Sequence, residues 1–80
     1  MRINILAFGI AKELLGGAQV SMVPDDGATV KDVKSKLEMQ HPALKQLTSY
    51  AIAVNGSYAK DDTLIGAGDE VAVIPPVSGG

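Results

Sequence analysis

The residues with the clearest chemical potential close the chain: Pro75-Pro76-Val77-Ser78-Gly79-Gly80. Two prolines fix an extended, hydrogen-bond-poor segment, and six residues at about 3.3 to 3.6 Å each span roughly 20 Å. Gly79 and Gly80 carry no Cβ, so a terminal carboxylate on Gly80 can pass down a channel too narrow for other residue types and reach another protein's active site. That carboxylate is ionised at neutral pH and is no electrophile until it becomes a mixed anhydride, which requires an ATP-using partner. Gly80 is therefore expected to carry the reactive group, with Pro75, Pro76, Val77, Ser78 and Gly79 as the inserting segment. The plainer alternative is an inert, mobile, glycine-rich end. What sets this ending apart is its place directly beyond the last predicted strand.

Other candidate chemistry is sparse. The chain has no cysteine, hence no disulfide, no thiolate metal site and no thiol nucleophile. Its one histidine, His41, stands before Pro42 with no carboxylate pair to orient it, and a helix-end role is expected. Asp25-Asp26 and Asp61-Asp62 lack the ligand spacing of a calcium loop and read as turns. Gly66-Ala67-Gly68-Asp69 lacks the third glycine and the following helix of a phosphate-cradling loop. No metal and no cofactor bound by this chain is expected; ATP belongs to the activating partner.

The elements that must position the ending follow from periodicity and turn chemistry. Residues 2 to 8 alternate polar and apolar at first and read as a strand. Ile10 to Leu15 suits a helical turn stopped by Gly16-Gly17, and Gln19 to Val23 a second strand ended by Pro24-Asp25-Asp26-Gly27. Thr29 opens the clearest helix, with Asp32 near its positive end and Val30, Val33 and Leu37 at i, i+3, i+7 as one apolar stripe. Pro42 limits that helix to about residue 41, and residues 43 to 50 read as an irregular connection with one helical turn around Leu44 and Leu47. Asn55-Gly56 between residues 51–54 and 57–60 marks a tight hairpin. Glu70 to Ile74 is the last strand. The order β, β, α, β, β, β, with long apolar first and last strands at mid-sheet, gives an α+β, ubiquitin-like β-grasp: a mixed sheet of about five strands with one main helix on one face. Eighty residues make one domain, 1–75, with 76–80 as a flexible tail.

Strand alternation marks a second feature. Arg2 and Asn4 place Leu6 and Phe8 on the face away from the helix, Lys60 places Tyr58 there, and Glu70 places Ile74 there. Leu6, Phe8, Tyr58 and Ile74 are expected to form an uncovered apolar patch near the chain's exit, a partner interface. The alternative is that the first hairpin or the 43 to 50 connection folds over them.

Charge narrows the partners. Seven basic and nine acidic residues, interspersed and netting −2, leave no footprint for nucleic acid and no polybasic membrane patch. The apolar run Ile5 to Ala11 behind Arg2 is followed by Lys12 and Glu13 where a neutral cleavage region belongs, so it does not read as a secretory signal. No apolar stretch approaches bilayer-spanning length, and a cytoplasmic location is expected.

Gly68-Asp69-Glu70-Val71-Ala72 followed by the Pro75 to Gly80 ending resembles the small subunit of molybdopterin synthase, with further likeness in Phe8, Lys12-Glu13-Leu14, Thr29-Val30 and Val54-Asn55-Gly56. Lys12 and Ser57 depart from its commoner arginine and glutamate. The resemblance implies a ubiquitin-like sulfur carrier. In that family the terminal glycine is adenylated by a ubiquitin-activating-like enzyme and then carries sulfur, supplied by a donor protein, as a thiocarboxylate. The tail enters the large subunit of a heterotetrameric synthase, where the sulfur attacks the precursor of the molybdenum cofactor's dithiolene. A carrier for thiazole or cysteine synthesis, a modifier that joins lysines, and a binding module with an inert tail are the competing expectations.

Overall fold

The computed structural model describes residues 2–47 and 49–75. Its strands are β1 (Ile3–Ala7), β2 (Gln19–Met22), β3 (Ala51–Val54), β4 (Ser57–Tyr58) and β5 (Glu70–Ile74), and its helices α1 (Ile10–Leu15), α2 (Val30–Gln40) and a 3-10 turn, Pro42–Gln46. The sheet order is β2-β1-β5-β3-β4. β1 and β5 run parallel, and the other neighbours are antiparallel. This is a ubiquitin-like β-grasp, with β5 central and β1 beside it.

The strands are slightly shorter than the sequence pattern gives. Phe8 leaves the sheet because the chain turns at Gly9 to begin α1, and Lys60 leaves it because its carbonyl accepts the amide of Thr63 in the turn that follows. The Asn55-Gly56 hairpin forms as expected, with φ of 52° and 84° at the two residues, the left-handed pair that a primed two-residue turn requires.

α2 is fixed at its start by a reciprocal cap. Thr29 Oγ1 accepts the Asp32 amide, and the Asp32 carboxylate accepts the Thr29 amide at 2.9 Å. The two amides between them are taken up by the polar connection before β5: Val30 N–H donates to the Thr63 carbonyl and Lys31 N–H to that of Asp61. The Asp61-Asp62 pair thus lies in a turn that supports the helix. His41 caps the other end, its amide donating to the Leu37 carbonyl.

The core lies between the sheet and α2. Ile3, Ile5 and Ala7 of β1, Val71 and Val73 of β5, and Ile52 of β3 meet the Val30, Val33, Leu37 stripe. Ala11 and Leu15 of α1 and Leu44 of the 3-10 turn enter the same cluster. The stretch read as an irregular connection is therefore a core element, anchored by Leu44. With both short helices committed to this side, the opposite face of the sheet is left open among the described residues. No described helix is long and apolar enough to cross a membrane.

Candidate functional site

The open face is built by register. Leu6 pairs with Ala72 across β1 and β5, Ala72 with Ala53 across β5 and β3, and Ala53 with Tyr58 across β3 and β4. A straight row of four side chains, large-small-small-large, therefore crosses the sheet. One step toward the C-terminal end of β5 stand Ile74 and, just past β1, Phe8. Together they line a groove of about 270 Å³, with alanines as its floor and the large groups as its walls.

The structure brings Leu6, Phe8, Tyr58 and Ile74 to this one groove. Their exposure is uneven: Tyr58 is 76% and Phe8 49% exposed, whereas Leu6 and Ile74 are half-buried because the neighbouring walls shield them. Sequence reasoning missed the floor. Alanine carries no polarity signal in a strand, and only the β3–β5 register shows that Ala53 and Ala72 share a row.

Glu70 closes the groove's far end. Its backbone is held on both sides by Asn55, whose amide donates to the Glu70 carbonyl at 2.7 Å and whose Oδ1 accepts the Glu70 amide at 3.0 Å. Asn55 Nδ2 in turn donates to the Asp69 carboxylate, which also accepts the Gly66 amide at 2.7 Å. Those two bonds, the backbone one foremost, hold the Asp69 carboxyl below its ordinary range. The Gly66 to Asp69 segment is thus the turn expected before β5, and it fastens the β3–β4 hairpin to the central strand. An apolar groove with one acidic end suits an apolar anchor group from another molecule.

A second concavity on the helix side is lined in part by Lys34, Glu38, Lys45 and Tyr50. Tyr50 Oη donates to the Glu38 carboxylate. Burial first, then that bond and the Glu38 charge, push the Tyr50 hydroxyl above the usual tyrosine range. Lys34 Nζ lies 5.3 Å from the Tyr50 ring centroid and 3.4 Å from the Asp61 carboxylate. Lys34, Glu38 and Tyr50 are thus engaged with one another and with Asp61, which makes the cluster a seam joining α2 to the chain before β3. Among the described residues no group of three His, Asp or Glu side chains is arranged to hold a metal ion.

Of the expected inserting segment, Pro75 is described and directly follows β5. Pro76, Val77, Ser78, Gly79 and Gly80, and with them the 76–80 tail, lie outside the described residues.

Residues 5–80 match the ThiS family. The chain belongs to that family. It is 35% identical over 83 residues to the molybdopterin synthase sulfur carrier subunit of Chlamydomonas reinhardtii, covering 100% of both chains. It is 32% identical over 81 residues to the sulfur carrier subunit of Arabidopsis thaliana, covering 100% of this chain and 84% of that one. The structure of small archaeal modifier protein 1 from Haloferax volcanii superposes with a TM-score of 0.87 at 31% identity, each chain covered in full. The molybdopterin synthase small-subunit resemblance is borne out, and the ThiS-family kinship supports a sulfur-carrier role.

Proposed function

We propose that this ThiS-family chain is the sulfur-carrier subunit of a molybdopterin synthase and that Gly80 is the atom-carrying residue. The observation that carries the reading is that the family match runs through Gly80, so it includes the Gly79-Gly80 ending that follows the central strand. In this reading a ubiquitin-activating-like enzyme joins the Gly80 carboxylate to the α-phosphate of ATP and releases pyrophosphate. Sulfur at the sulfide level from a donor protein displaces AMP and leaves a thiocarboxylate. Its sulfur attacks a carbon of the pterin precursor in the large subunit as an oxygen substituent leaves that carbon, and hydrolysis of the resulting thioester returns the carboxylate and leaves the sulfur on the pterin. A chain without cysteine thus carries sulfur as a borrowed atom. Acid, base and pterin-binding groups belong to the large subunit, and two carriers in a heterotetramer deliver the dithiolene's two sulfurs.

The open-face groove supplies the docking surface in this reading. Leu6, Phe8, Tyr58 and Ile74 receive an apolar anchor from the activating enzyme or the large subunit, at the end of the sheet where Pro75 leaves.

Intact mass of the protein from its native cell tests the proposal, with an oxygen-to-sulfur exchange on the C-terminal peptide as the expected result. Methionine oxidation adds nearly the same nominal mass, so the shift must be localised; the tryptic peptide from Asp61 to Gly80 contains no methionine. Deleting Gly80 is expected to abolish dithiolene formation in a reconstituted synthase with the melting temperature unchanged. A truncated form that still supports synthesis refutes the reading. Exchanging large-subunit partners separates it from thiazole or cysteine carriers.

The likeness to small archaeal modifier protein 1 favours a second reading, attachment of Gly80 to lysines of other proteins. Branched Gly-Gly peptides in lysate proteins are its expected trace.

A further inference from the structure

β1 and β5 run parallel with Ala7 beside Val73, so Phe8-Gly9 past the end of β1 and Ile74-Pro75 at the end of β5 lie side by side. Gly9 has φ 56° and ψ −134°, and the Ala11 amide donates to the Phe8 carbonyl at 3.1 Å. Those angles and that bond are the first central position of a type II′ turn, which glycine takes without strain. The turn carries the chain to α1 on the helix side.

Gly9 is also crowded. A Cβ built on it would stand 3.3 Å from Cγ of Pro75, inside the roughly 3.5 to 4.0 Å of an ordinary carbon contact. Pro75 has no N–H with which to continue the ladder, so the bare backbone of Gly9 is the surface its ring comes against.

We propose that Gly9 is a positioning residue: its missing side chain lets the Pro75 ring lie against the turn into α1 and so sets the direction in which the chain toward Gly80 departs. The inference rests on the sulfur-carrier reading above. Direction matters because five residues reach at most about 18 Å, so one degree of tilt at the root of a straight segment moves its end by about 0.3 Å. An end aimed away from a partner's channel must be redirected as it binds, and that cost of lost pre-organisation falls on the carrier's KM.

The test is a double-mutant cycle on the full chain: wild type, Gly9→Ala, Pro75→Ala and the double variant. Each is assayed for ATP–pyrophosphate exchange with the adenylating enzyme over a range of carrier concentrations, at a temperature where circular dichroism shows it folded. Gly9→Ala is expected to raise KM roughly fivefold or more with kcat little changed. Pro75→Ala, which removes the guided ring, is expected to raise KM about twofold, and the double variant to match Pro75→Ala. The turn strain remains in both alanine-9 proteins, so both should melt lower by the same amount. An unchanged KM in folded Gly9→Ala, or KM effects that multiply in the double variant, overturns the proposal. If Gly9→Ala does not fold, a wild-type KM in Pro75→Ala overturns it as well. A wild-type chain that is never adenylated overturns the sulfur-carrier reading itself, an outcome distinct from an adenylated wild type with an unaffected variant.

Discussion

The two faces of the sheet are built from the same strands and solve opposite problems. Facing α2, β1 presents Ile3, Ile5 and Ala7, and β5 presents Val71 and Val73, all buried. Turned the other way, the same strands present Leu6, Ala72 and Ile74, and the row across the sheet is interrupted by two alanines. On the inner face, large branched side chains fill space. On the outer face, small ones leave it. The difference teaches that a sheet of this size can commit one side to stability and leave the other open for the docking role proposed above, through a two-residue alternation.

Substitution on the inner face should be the more damaging to the fold. Ile3→Ala or Ile5→Ala is expected to lower unfolding free energy by about 2 to 5 kcal/mol in urea titration, a large share of what a domain of this length has. A loss below about 1 kcal/mol at both positions would break the comparison. The groove should respond the other way. Ala53→Leu fills its floor, and Tyr58→Ala removes a wall that is 76% exposed. Both should stay within about 1 kcal/mol of wild type in stability. If the groove is the proposed docking surface, each should weaken binding to the activating enzyme or large subunit tenfold or more, about 1.4 kcal/mol, in calorimetry. Equal affinity in both variants would sharpen the picture by moving recognition elsewhere.

The smallest effect concerns the clamp at the groove's acidic end. The folded Asp69 carboxyl titrates below its ordinary value, so its contribution is complete above the ordinary carboxylate range and is lost as pH falls through the lower folded value. Asp32, lowered by the Thr29 cap, acts in the same direction. Melting temperature should therefore drop on acidification below about pH 4, and Asp69→Asn should flatten part of that slope. An identical acid profile in the variant would remove the clamp from the account.

Much of this was legible in the sequence because it is local. The Thr29 cap with its Val30, Val33, Leu37 stripe, the Asn55-Gly56 hairpin and the alternation that puts Leu6, Phe8, Tyr58 and Ile74 on one side need no long-range information. The parts that escaped depend on pairing between distant segments. Ala53 and Ala72 become a floor only through the β3–β5 register. Gly9 gains its constraint from Pro75 across the sheet. Leu44 joins the core because the 3-10 turn packs against both helices, which no periodicity in so short a stretch announces.

The central place of β5 has a mechanical consequence. Because this strand is flanked on both sides, by β1 and by β3, a force applied beyond Pro75 along the strand axis loads two hydrogen-bonded ladders together, in shear. An edge strand would instead be peeled away one bond at a time. Under the proposed function, in which partner proteins take up and release the far end, such a chain can be tugged without unravelling.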